Sequence, residues 1–102
     1  MPTVFVVNKS SHDFTAAKKF GELHFLSSGP MNRFATNNMH RMFSDKLSNS
    51  NPDDYLVLCS LNVMNSIACA IFASKHGCLN LLLYKGGKYI ERNLVIEEGE
   101  TI

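Results

Sequence analysis

The sequence predicts an α/β fold: a small three-layer, Rossmann-like (flavodoxin-like) domain on a mostly parallel sheet of about five strands, closed by a C-terminal antiparallel hairpin strand. Three observations predict it. Thr3–Val7 (TVFVV) and Tyr55–Cys59 (YLVLC) are short, continuous apolar runs, the pattern of strands covered on both faces. Segments carrying helical spacing or helix-start residues separate the strand runs. Tyr55–Gly77 reads as a complete strand–turn–helix, the half-unit from which doubly wound domains are assembled. The predicted order is β-α-β-α-β-α-β-β. Right-handed crossovers then favour the strand order 2-1-3-4-5.

Each element has its own justification. After the first strand, Asn8–Asp13 (NKSSHD) is polar, and Ser10 with Asp13 has capping-box spacing, so a short helix is expected up to Gly21. Leu23–Leu26 is a second strand. Ser27–Ser28–Gly29 turns the chain, and Pro30 suits a first helical turn, where a missing N–H costs nothing. From there Met31, Phe34, Ala35, Met39, Met42, Phe43 and Leu47 recur at spacings of three and four, one face of a helix. Asn32, Arg33, Thr36, Asn37, His40, Arg41 and Ser44 make the opposite face. Ser48–Asp54 is dense in turn formers and reads as a loop.

The helix after Tyr55–Cys59 and the turn Ser60–Asn62 is rich in small residues, which permits close packing on a sheet, and Gly77 stands where a left-handed C-cap is wanted. Leu79–Tyr84 and Tyr89–Ile96 flank Lys85–Gly86–Gly87–Lys88, a tight hairpin turn whose glycines tolerate positive φ. Alternation puts Ile90, Leu94 and Ile96 on one face of the last strand, with Arg92 interrupting them. Arg92 reads as an edge side chain, or as the partner of an acid or a second subunit. Glu97–Ile102 is expected to be a frayed tail.

A chain of 102 residues is one domain. Its formal net charge of +1 provides no general attraction to nucleic acid or anionic membrane, so neither is an expected partner. Three cysteines without a CxxC pair suit a reduced, cytoplasmic setting. Charged residues are 19% of the chain, a light surface charge that leaves room for a homo-oligomer contact, with the Tyr89–Ile96 edge as one surface for it and the Asn32–Arg41 face as the other.

In an open parallel sheet, ligands lie beyond the C-terminal strand ends where the strand order reverses. Three polar loops should meet there, each leading to a helix N-terminus whose free N–H groups and dipole suit an anion. Asn8, Lys9, Ser10, Ser28, Gly29, Arg33, Ser60 and Asn62 are the candidate contacts, for a nucleotide or phosphate compound. Their ordinary use is helix capping, and no GxGxxG or GxxxxGK[ST] pattern is present. A hydrolase using Ser60 or Cys59 with His12 as base is the weaker alternative, because LCSLN lacks the GxSxG elbow. His12, His24, His40 and His76 have no metal-ligand spacing, and no cofactor is implied. The compact single-domain design would suit a virus-encoded or otherwise orphan reading frame.

Overall fold

A computed structural model describes residues 1–96; the expected tail at 97–102 lies outside the described residues. Along the chain run β1 (Thr3–Val6), a 3-10 helix (Thr15–Phe20), β2 (Glu22–Phe25), α1 (Thr36–Lys46), β3 (Tyr55–Val57), α2 (Asn62–His76), β4 (Cys78–Lys85) and β5 (Lys88–Val95). They form one five-stranded sheet in the order β2-β1-β3-β4-β5. The first four strands are parallel, and β4 and β5 are antiparallel. This is the α/β architecture and the strand order that the sequence predicts.

Hydrophobic burial explains the layers. Phe5 and Val7 face one side, where Leu26, Leu56 and Leu79 join Met39 and Phe43 of α1 and Met64, Ala68 and Phe72 of α2. Val4 and Val6 face the other side with Val57, Leu82 and Tyr89, beneath Ala17 of the 3-10 helix. Right-handed crossovers require this split: β1 to β2 runs one way along the sheet, whereas β2 to β3 and β3 to β4 run the other. Both α-helices therefore share a face, and the short 3-10 helix alone covers the opposite one.

Two expected helix starts are corrected. No capping box forms between Ser10 and Asp13. The Ser10 hydroxyl accepts the N–H of His12 at 3.2 Å, and Asp13 Oδ1 accepts the N–H of Thr15 at 2.9 Å. The short side chains satisfy local turns in preference to a helix end, and the chain then makes only six residues of 3-10 helix. The second correction concerns Pro30. Residues 30–35 are irregular: Asn32 Oδ1 accepts the Phe34 N–H at 3.0 Å, Asn32 O accepts that of Ala35, and α1 starts at Thr36. Phe34, expected on the buried face, is 78% exposed.

The remaining elements obey their chemistry. Gly77 closes α2 at φ +72°, its N–H donating to Ala73 O. Gly86 and Gly87, at φ +59° and +88°, make the hairpin turn type I′. Arg92 is exposed, and its guanidinium donates to Glu91 O at 2.8 Å, as an edge side chain. Burial raises the pKa of Tyr89, which belongs to the core cluster with Val57 and Leu82, and that of Tyr55.

Two positions test these packing relations. A Cβ on Gly21 would sit 2.0 Å from Pro2 O, so Gly21→Ala must push β1 and β2 apart; a loss of about 3 kcal/mol or more in urea unfolding is expected. Buried Asp54 accepts the N–H groups of Thr3 and Asn51, both at 2.8 Å, tying the start of β1 to the loop before β3. Asp54→Ala strands both donors and should cost about 2–4 kcal/mol by the same measurement, with Asp54→Asn recovering part of it.

Candidate functional site

At the C-terminal edge of the sheet, β1 and β3 are neighbours, and their continuations depart to opposite faces. A cavity of about 270 Å³ opens there, lined by Asn8, Ser10, His12, Phe14, Leu58, Cys59, Ser60 and Leu61. It lies at the topological switch point, where the sheet itself separates two outgoing loops. Asn8, Ser10 and Ser60 of the predicted contacts meet in it, together with Cys59 and His12.

One wall is the start of α2. Leu61 is its N-cap and offers no capping side chain, and no acidic residue occupies the first turn. The Leu61 carbonyl accepts the N–H groups of Met64 and Asn65, while those of Asn62 and Val63 have no hydrogen-bond partner among the described residues. Asn65 shapes the turn instead. Its Oδ1 accepts the Cys59 N–H and its Nδ2 donates to the Cys59 carbonyl, both at 2.8 Å. That pair of hydrogen bonds holds the β3–α2 turn as a neighbouring strand would, and leaves Ser60 exposed at the cavity mouth.

Asn8 is the other fixed point. Its Nδ2 donates to Gly29 O at 3.0 Å, which settles the amide orientation, and its Oδ1 is buried with no hydrogen-bond partner. An orphaned acceptor of this kind costs about 1–3 kcal/mol and is uncommon in a settled core. Lys9, Ser28 and Gly29 extend the β1–β2 ladder as backbone: Lys9 and Ser28 form a parallel bridge, and Gly29 at φ +76° donates its N–H to Lys9 O.

The charges expected at the crevice lie elsewhere. Lys9 Nζ stands 5.4 Å from the centre of the Phe25 ring, on the side of the 3-10 helix. Arg33 stacks on Phe34 at 5.1 Å within the irregular segment before α1. Neither lines the cavity, and Asn62 is the first residue of α2 rather than part of the turn.

His12 is held by aromatic edges, 5.1 Å from Phe14 and 5.0 Å from Tyr84. Among the described residues no hydrogen bond joins its ring to Ser60 or Cys59. The Cys59 thiol points to Leu61 O at 3.6 Å. The Asp13 carboxyl, next to His12 in the chain, is held below the ordinary range by its hydrogen bonds to the Thr15 hydroxyl and N–H, and so is already engaged. Among the described residues no three His, Cys, Asp or Glu side chains are grouped as a metal ion requires, and no helix is long and apolar enough to cross a membrane.

Two contributors to this edge escape a reading of the sequence. Asn65 looks like an ordinary polar helix residue; its signal was its place six residues beyond Cys59, within reach of the turn. Tyr84 lies near the end of β4, and a strand parallel to β1 and β3 must deliver its last residues to the same edge.

No curated protein and no solved structure matches the chain. A family model, however, covers nearly all of the described residues. Residues 2–96 match the model of the phage Pam3 gp32-like protein, and the chain belongs to that family.

Proposed function

We propose that this small phage-family protein is a cytoplasmic binding protein without catalysis, holding a small anionic molecule (a nucleotide or phosphate compound) in the crevice beyond β1 and β3. The observation that carries the reading is the cavity at the topological switch point, opening beside the uncapped N-terminus of α2. Backbone N–H groups and the helix dipole there favour negative charge. The Ser10 and Ser60 hydroxyls add neutral donors. The three free thiols support a reducing compartment. Among the described residues no hydrogen bond joins His12 to Ser60 or Cys59 to prepare a nucleophile.

A second reading has its own observation. On β5, Leu94, Val95 and the adjoining Ile96 are 47%, 80% and 43% exposed, and the strand forms the outer edge of the sheet. An apolar, unpaired edge of this kind favours pairing with a second copy of the chain.

Each reading predicts a distinct result. Nucleotides and inorganic phosphates at millimolar concentration should raise the melting temperature, since a ligand at 100 times its Kd adds about 2.7 kcal/mol. Ser60→Asp should abolish that shift while leaving the unliganded melting temperature equal or higher, because a carboxylate suits a helix N-terminus but repels an anion. A melting temperature unmoved by every phosphate compound would eliminate the crevice reading. For the edge, light scattering should show the mass rising toward a dimer with concentration and Val95→Lys reversing it; a strict monomer throughout would eliminate that reading.

A further inference from the structure

The β4–β5 hairpin reaches further than the sheet it belongs to. β3 pairs with β4 only at Leu56–Leu81 and Val57–Leu82, whereas the β4–β5 ladder continues to Lys85–Lys88. The tip thus extends three residues past the last β3 rung, about 10 Å at 3.3 Å per residue. Because β4 is parallel to β1 and β3, the tip rises at the same edge as the cavity.

It is joined to the cavity by rings. His12 lines the cavity and meets Tyr84 at 5.0 Å, nearly perpendicular at 88°. Tyr84 is 53% exposed and is backed at 5.3 Å by Tyr89, which is 4% exposed and set in the core. An open aromatic surface on a fixed support has little freedom to lose when a planar group stacks on it.

The tip also carries charge. Lys85 and Lys88 are directly opposite each other and both exposed, an arrangement that destabilises a hairpin by itself. No ion pair among the described residues involves either; the one salt bridge joins His24 and Glu22. Between them Gly86 and Gly87 leave open space where a Cβ would be, so the backbone can approach a ligand closely. Two ammonium groups without an ion pair among the described residues suit a phosphate, whose charge would turn their repulsion into attraction.

We propose that the hairpin tip completes the crevice as a nucleotide clamp, with Tyr84 and His12 receiving the base and Lys85 and Lys88 the phosphate. The proposal rests on the crevice reading and narrows its ligand to a nucleoside phosphate. It also replaces Lys9 and Arg33 as the source of charge.

The test uses tyrosine emission, which Tyr55, Tyr84 and Tyr89 supply without interference in a chain lacking Trp. Adenosine monophosphate should quench that emission and bind about tenfold more tightly than adenosine or inorganic phosphate alone. The double variant Lys85→Gln/Lys88→Gln should weaken adenosine monophosphate by about tenfold or more without lowering the unliganded melting temperature. Tyr84→Leu should reduce adenosine monophosphate to the affinity of inorganic phosphate. If the double variant binds adenosine monophosphate as the parent does while Ser60→Asp abolishes binding, the crevice stands and the clamp is overturned. If no phosphate compound binds the parent, both readings fall together.

Discussion

Strand β1 has no wet face. Val4 and Val6 are fully buried, as is Val7 just beyond the strand, and Phe5 is 5% exposed, so the strand needs cover above and below, and hydrogen-bonding neighbours on each edge. Most of the structure derives from that requirement. A chain that leaves a strand dry on both sides must return through a crossover, and right-handed crossovers send β2 and β3 to opposite edges of β1. The loops after β1 and β3 consequently part company at their C-terminal ends. The crevice is thus a by-product of burying β1.

The cover is unequal. On one face α1 and α2 bring Met39, Phe43, Leu47, Met64 and Phe72 into the core, fully or almost fully buried, each worth roughly 1.5–3 kcal/mol relative to exposure. The other face has a single 3-10 helix that buries only Ala17 of its own residues. Aromatic rings make up the difference: Phe14 with Phe25, Phe20 with Tyr55, and Tyr84 with Tyr89. A face closed by rings rather than by a long helix leaves several of them partly open, and this is how Tyr84 and His12 come to be exposed beside the crevice.

What the sequence revealed depended on whether the deciding contact was periodic. Thr3–Val7 and Tyr55–Cys59 announce buried strands because dry strands need unbroken apolar runs, and Gly77 announces a helix end because αL strongly favours glycine. Met39, Met42, Phe43 and Leu47 keep their spacing along α1 and its C-cap. Phe34 fits the same spacing and is exposed, because Asn32 takes the Phe34 N–H through its side chain and ends the regularity first. Ser10 and Asp13 misled for the same reason, since turn-forming side chains have closer partners than a helix three residues on. Asn8, Ser10 and Ser60 were legible as neighbours at the crevice because topology alone takes their loops to one edge. Lys9 and Arg33 lie elsewhere, because ring contacts, which no spacing records, help decide where a long side chain goes.

The destinations of those two cations bear on how any anion would be held. Exposed cation–π contacts such as Lys9 on Phe25 and Arg33 on Phe34 are worth about 0.5–1 kcal/mol, enough to fix a resting position but not to forbid another. The backbone, however, constrains them more firmly. Lys9 sits within the β1–β2 bridge, so its Cβ direction is set by the ladder, and Arg33 lies in a segment that leads into α1 rather than turning toward β3. The α2 N–H groups and the hairpin tip are already directed at the same edge by elements that cannot point elsewhere. An anion bound there, as proposed, would meet α2 N–H donors fixed by secondary structure, and engaging them would cost little ordering entropy.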